Sequence, residues 1–168
     1  VLDASYLTCK NSNLVPVNGF CVKTSGTISK TVGSKVTIRN MCAGCKFNQL
    51  PMGIANGKLK TLRPNNYGAN ATRWAIWEDA RSVYKIRNDD NSKYLNINGN
   101  NGAVNLTHND SASGTNWKVV RLADGKVQIK NNCNRCRYMG YYLNINGNTG
   151  LVELTNNAKA SGTHWLIF

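Results

Sequence analysis

The chain has 168 residues, 41% of them hydrophobic, and carries 21 Lys and Arg against 8 Asp and Glu, a formal charge of +13. That length suits one domain, or one domain with an appendage, and no run approaches the roughly 20 consecutive apolar residues of a membrane helix. So basic a surface attracts polyanions such as nucleic acid, acidic lipid headgroups and sulfated or uronic glycans, although its Lys and Arg are scattered rather than clustered.

The chain opens on Val1-Leu2-Asp3-Ala4, without an initiator Met or a charged-then-apolar leader, and is expected to start at a processed N-terminus. Residues 1–35 stand outside the repeats described next. With Cys9, Cys21 and β-prone stretches such as Phe20-Cys21-Val22, they are expected to form an extension packed on the domain and pinned by a disulfide. Six cysteines, an even and high count, imply three disulfides and an extracellular protein. Sequons at Asn70, Asn105 and Asn109 agree with secretion.

From residue 36 the chain repeats. Val36-Thr37-Ile38-Arg39-Asn40 matches Tyr84-Lys85-Ile86-Arg87-Asn88 and Val127-Gln128-Ile129-Lys130-Asn131, each alternating like a half-buried strand. After it come Cys42-X-X-Cys45 in copy one, the shorter Asp89-Asp90-Asn91-Ser92 in copy two and Cys133-X-X-Cys136 in copy three. Tyr94-Leu95-Asn96-Ile97-Asn98-Gly99-Asn100 recurs as Tyr142-Leu143-Asn144-Ile145-Asn146-Gly147-Asn148, strands running into Asn/Gly hairpin turns. Val104 and Leu106, and again Val152 and Leu154, begin the following strand. Each copy closes on a Trp: Ala71-Thr72-Arg73-Trp74, Gly114-Thr115-Asn116-Trp117 and Gly162-Thr163-His164-Trp165. These Trp residues recur with the fold and are expected in the core. The copies span about 36–80, 81–123 and 124–168.

For the two Cys-X-X-Cys loops, local disulfides are favoured. Cross-links to the extension, a four-Cys zinc site with suitable ligand spacing, and a redox-active pair flanked by Lys46, Arg135 and Arg137 are the alternatives.

Four short strands per copy cannot bury their apolar face alone, so three copies must close on one another, which also removes exposed edges. Three such copies, each ending near Gly-X-X-Trp, resemble the β-trefoil superfamily. That resemblance implies an all-β trefoil over 36–168. Within the superfamily the comparison is with ricin-B-type lectins, but the Gln of their Gln-X-Trp is here Thr72, Thr115 and Thr163. Their early sugar-binding Asp corresponds to Asn96 and Asn144, amides that accept hydrogen bonds more weakly than a carboxylate.

Catalysis needs positioned acids, bases or nucleophiles. The two His and eight carboxylates (Asp3, Glu78, Asp79, Asp89, Asp90, Asp110, Asp124 and Glu153) are dispersed, and no nucleophile elbow, P-loop or dinucleotide fingerprint occurs. A non-enzymatic protein with no cofactor and no metal site is therefore expected. Nor does any motif support sequence-specific nucleic-acid recognition.

Amides both donate and accept hydrogen bonds, which suits sugar hydroxyls. The expected carbohydrate-binding residues are Asn96, Asn98, Asn105, His108 and Asn116 in copy two, and Tyr141, Asn144, Asn146, Glu153, Asn156 and His164 in copy three. Such a protein is a secreted, monomeric lectin-like module whose partner is a glycan or glycoprotein. Two other readings stand beside it. One is a protease inhibitor or secreted effector binding a protein, with Leu62-Arg63-Pro64 as the exposed segment. The other is an acidic-polysaccharide binder, with Arg39, Arg87 and Lys130 spread around the fold and Lys58, Lys60, Arg63 and Arg73 as the better patch.

Overall fold

The computed structural model describes residues 14–17, 20–23, 30–63, 68–80 and 82–168. Among the described residues all regular structure is strand or 3-10 turn. A hairpin of β1 (Leu14–Val17) and β2 (Phe20–Lys23) precedes the repeats. Cys9, expected to pin this segment, lies outside the described residues.

Copy one comprises β3 (Lys30–Val36) and β4 (Ile38–Asn40), which together form its first strand, then β5 (Met52–Ala55), β6 (Lys58–Thr61) and β7 (Trp74–Ala80). The boundary drawn at residue 35 thus falls inside β3, which pairs with β7 from Lys30 to Val36. Copy two holds β8 (Val83–Asn88), β9 (Tyr94–Ile97), β10 (Val104–Thr107) and β11 (Trp117–Arg121). Copy three holds β12 (Val127–Asn131), β13 (Tyr142–Ile145), β14 (Val152–Thr155) and β15 (Trp165–Ile167).

First and last strands of the copies close a ring. β3 pairs β7, β7 pairs β8, β8 pairs β11, β11 pairs β12, β12 pairs β15, and β15 returns to β4. The middle strands form the hairpins β5–β6, β9–β10 and β13–β14. Register is equivalent in all copies: Val36 faces Trp74, Tyr84 faces Trp117, and Val127 faces Trp165.

The core follows from that register. Trp74, Trp117 and Trp165 are fully buried, as are Ile38, Ile86 and Ile129. Burying one indole is worth about 4–6 kcal/mol gross at 25 cal/mol per Å². The polar edge of each ring is satisfied too: Nε1 donates to the carbonyl of Met52, Leu95 or Leu143 at 3.0, 2.9 and 3.1 Å.

A second equivalent set joins neighbouring copies. Asn40, Asn88 and Asn131 are buried. Their Nδ2 atoms donate to the carbonyls of Gly162, Ala71 and Gly114, in the 3-10 turn of the preceding copy. Their Oδ1 atoms accept from the amides of Cys42, Asp90 and Cys133. Desolvating three amides is tolerable because both ends of each are bonded.

The two Cys-X-X-Cys loops are closed by local disulfides, Cys42–Cys45 and Cys133–Cys136. Cross-links from these loops to the extension and a four-Cys zinc site are thereby set aside.

Candidate functional site

The β9–β10 and β13–β14 hairpins hold equivalent polar pairs. Asn96 lies across from Asn105, and Asn144 across from Glu153. Asn96 Nδ2 donates to Asn105 Oδ1 at 2.7 Å, and Asn144 Nδ2 to Glu153 Oε1 at 3.1 Å. Asn146 Nδ2 reaches the second Glu153 oxygen at 3.2 Å. The carboxylate therefore accepts an amide on each oxygen and still keeps lone pairs.

Asn96 and Asn144 lie on the hairpin face away from the core, flanked by core-facing Leu95, Ile97, Leu143 and Ile145, but the 3-10 turn of their copy covers them, and Asn144 is only 8% exposed. Their Oδ1 atoms are buried without a conventional hydrogen-bond donor. Each presses on a glycine of the copy's 3-10 turn: a Cβ added to Gly114 or Gly162 would lie 2.4 Å from that oxygen. Only a glycine Cα–H fits there, and the contact has the character of a weak C–H···O interaction. In copy one the partners are Gly53 and Lys60, and the turn residue is Ala71. The side chain has moved from hairpin to turn.

The other expected site residues have separate duties. Asn98 and Asn146 Oδ1 accept from the amides of Asn100 and Asn148, which builds the hairpin turns. Asn116 Oδ1 accepts from Lys85 Nζ at 2.8 Å. Tyr141 packs edge-on to Tyr138 with ring centroids 5.5 Å apart. His164 is half-buried, and its carbonyl accepts from Met41 N at the junction with copy one. His108 and Asn156 are exposed just beyond β10 and β14. The structure thus joins Asn96 with Asn105, and Asn144 with Asn146 and Glu153, and gives Asn116 and Tyr141 other partners.

Sequence reasoning missed a buried lysine. Lys85 is 6% exposed, and Nζ donates to the Asp110 carbonyl, Thr115 Oγ1 and Asn116 Oδ1. Burial pushes its ammonium below the ordinary lysine range, opposed by the charges of Asp79 and Asp110. In copy three Gln128 makes the equivalent bonds to the Ala158 carbonyl and Thr163 Oγ1. In copy one Arg73 reaches back to Thr37 Oγ1. Thr115 and Thr163, at the place of the lectin Gln, thus receive an internal donor. The signal was the matched column Thr37, Lys85, Gln128, polar in all copies beside a core Ile.

The threefold cations Arg39, Arg87 and Lys130 do not stand free. They lie over the rings of Phe168, Trp77 and Tyr142 at 4.5, 5.6 and 5.3 Å, a stacking that fixes each on its own face. In the proposed patch of copy one, Lys58, Arg63 and Arg73 are exposed and Lys60 is half-buried. Pro64 lies outside the described residues. The described surface includes the following two clefts. A polar one of about 420 Å³ is bordered by Trp77, Asp79, Lys85 and Asn116. The other, of about 390 Å³, lies between the hairpin of copy one and copy two. No described helix is long and apolar enough to cross a membrane.

Compared by sequence, the chain matches no family model and no curated protein. Compared by structure, it is similar to the BEL β-trefoil, with a TM-score of 0.62 at 10% identity over 80% of this chain and 92% of that one. The fold is the β-trefoil. The same fold links it to SeviL, solved with asialo-GM1 saccharide, at TM-score 0.61 and 20% identity over 80% of this chain and 96% of that one. It is also similar to part of a GlcNAcα1-4Gal-releasing endo-β-galactosidase from Clostridium perfringens, at TM-score 0.66 and 16% identity over 80% of this chain. The trefoil described here spans 32% of that enzyme's length. Identities this low establish architecture, which many unrelated functions share.

Proposed function

We propose that the protein is a secreted, non-catalytic carbohydrate-binding module whose contacts are made by the equivalent hairpin pairs of copies two and three. The observation that carries this reading is the pairing itself. Asn105 and Glu153 occupy one equivalent position on the outer face of their hairpins, each held by the amide directly across the pair, Asn96 or Asn144. A pre-oriented acceptor on a strand suits a hydroxyl-rich ligand, because little freedom is lost on binding. Support also comes from SeviL, a trefoil solved with a saccharide. Glu153 is the stronger acceptor because it is charged, so copy three is the tighter site. Asn96 and Asn144 act as positioning residues behind Asn105 and Glu153. The two local disulfides suit an oxidising compartment.

A glycan array read at low and high salt tests the reading. Salt-resistant binding to a neutral glycan is expected, reduced about tenfold by Glu153→Gln, the loss of one charge-assisted hydrogen bond. Binding confined to sulfated glycans and lost at high salt would transfer the function to the exposed cations of copy one, Lys58, Arg63 and Arg73. Binding to no glycan would overturn the reading and turn the search to protein partners.

A further inference from the structure

The three copies differ most in the loop after their first strand. In copies one and three this loop runs over 41–50 and 132–141; in copy two it is 89–93. The loop ends are nevertheless equivalent. Gln49, Ser92 and Gly140 each donate their amide to the carbonyl of Asn40, Asn88 or Asn131, at 2.7, 3.0 and 2.8 Å. Leu50, Lys93 and Tyr141 each accept from the amide of the same Asn. The deletion in copy two therefore removes the middle of the loop and leaves its anchor intact.

In the long loops that middle contains an aromatic ring at one equivalent position, Phe47 and Tyr138. Each ring covers the hairpin-turn glycine of the preceding copy. A Cβ on Gly150 would lie 2.6 Å from the Phe47 ring, and one on Gly102 would lie 2.6 Å from the Tyr138 ring. A cation rests on each ring as well: Lys46 over Phe47 at 5.2 Å and Arg137 over Tyr138 at 4.8 Å. The third such glycine is Gly57. By symmetry the loop of copy two should cover it, but that loop has neither the disulfide nor the ring. A Cβ on Gly57 would meet nothing within 4 Å.

The vacated volume is the cleft of about 390 Å³, whose lining includes Gly57. Leu59, Val104, Leu106 and Val152 supply apolar walls from all three copies. Two lysines border it, Lys58 on the copy-one hairpin and Lys93 on the shortened loop. Lys93 takes the chain position held by Leu50 and Tyr141 in the other copies, so a charge replaces an apolar residue where the cover is missing. Among the described residues neither ammonium has a carboxylate partner. Its size falls in the range of small-molecule sites, and its lining combines the apolar walls with Lys58, Asn91, Lys93 and Asn105.

We propose that this slot, which borders Asn105 of the copy-two pair but not Glu153 of copy three, is a ligand site for a small molecule with a planar apolar ring and one anionic group. The ring takes the place that Phe47 and Tyr138 fill in the other two copies. The anion lies between Lys58 and Lys93. Two like charges beside apolar walls disfavour a cationic ligand, and the missing aromatic sets the shape of the occupant.

Naphthalene-2-sulfonate, neutral 2-naphthol and the cation 2-naphthylmethylammonium are the probes, titrated into the isotope-labelled full chain and followed by amide chemical shifts. The expected result is a saturable shift centred on Gly57, Leu59 and Val104, with the sulfonate bound about tenfold or more tighter than the naphthol. Lys58→Gln with Lys93→Gln, two changes at side chains with no carboxylate partner among the described residues, should erase that preference and leave naphthol binding in place. Replacing 89–93 with the sequence of 132–141 should supply the missing ring and abolish binding of both probes. Three results would overturn the proposal: shifts centred elsewhere, equal affinity for anion and cation, or no saturable shift up to millimolar probe. Undiminished binding in a folded loop replacement would do the same, and if that variant does not fold, the lysine pair decides. Sugar binding is read separately through Glu153, which does not line the slot, so each reading can fail alone.

Discussion

Copies one and three fill the space between hairpin and turn in different ways. In copy three Asn144 on the hairpin presses on Gly162 in the turn; in copy one Gly53 on the hairpin lies against the Ala71 carbonyl and the Leu62 and Thr72 side chains. In copies two and three the hairpin Asn requires glycine in the turn, and in copy one the glycine stands on the hairpin. The comparison shows that Asn144 is retained with Gly162 as a packing unit. The same unit aims Glu153 outward, so a functional residue here depends on a steric pair behind it.

The sharpest way to break this comparison is Gly162→Ala. The new Cβ would fall 2.4 Å from Asn144 Oδ1 and 2.5 Å from the Ile145 carbonyl, and overpacking of this kind should cost about 3 kcal/mol. Adding Asn144→Gly recreates the copy-one arrangement and should restore more than half of the loss, a non-additivity readable from urea midpoints. If the double variant is no more stable than Gly162→Ala, the exchange is coincidental and the backbone contact alone sets the cost.

A smaller effect compares the loops. Replacing Cys133 and Cys136 by Ala should cost about 2 kcal/mol, the entropy of a four-residue closure. Copy two anchors its loop by the Asn88 bonds with no disulfide, so the variant should stay folded. Unfolding at room temperature in calorimetry would contradict this.

The smallest effect concerns the buried lysine. Lys85→Gln should change stability by less than about 1 kcal/mol, because Gln128 makes equivalent bonds in copy three. Lys85→Met leaves the Asp110 carbonyl and Thr115 Oγ1 without that donor and should cost about 1–3 kcal/mol. The folded-state pKa of Lys85 is lowered by burial from 10.5. In the window between that lowered value and the unfolded value the unfolded chain binds more protons. Stability contributed by this group should therefore rise as pH climbs through that window. Lys85→Gln should remove that slope, which denaturant midpoints measured between neutral and alkaline pH would reveal.

Repetition made most of the fold legible. Ile38, Ile86 and Ile129, the closing Trp residues and the Asn/Gly hairpins carry the strand pattern in their spacing, and all occupy the expected places. The matched Asn40, Asn88 and Asn131 were visible as a column, but their bonds run to the turn of another copy. Periodicity along one copy does not encode a partner in the next. The candidate site was read less completely for the same reason. The direction of Asn96 and Asn144 depends on Gly114 and Gly162, 18 residues further along the chain. Sequence marks these amides as outward polar strand residues, whereas their cover by the 3-10 turn is a property of three-dimensional packing. The uncovered Gly57 was implicit in the short loop of copy two, but its meaning required knowing which copy's loop covers which copy's glycine.

The bond from Asn40 Nδ2 to the Gly162 carbonyl spans 122 residues and seals copy one to copy three. Synthesis proceeds from the N-terminus, so Asn40 exists long before its acceptor does. Until β15 arrives, the nascent copies one and two carry a buried-type amide facing water and an open seam beside Ile38. Copy one therefore cannot complete this contact before copy three has been made, a long-range closure of high sequence separation.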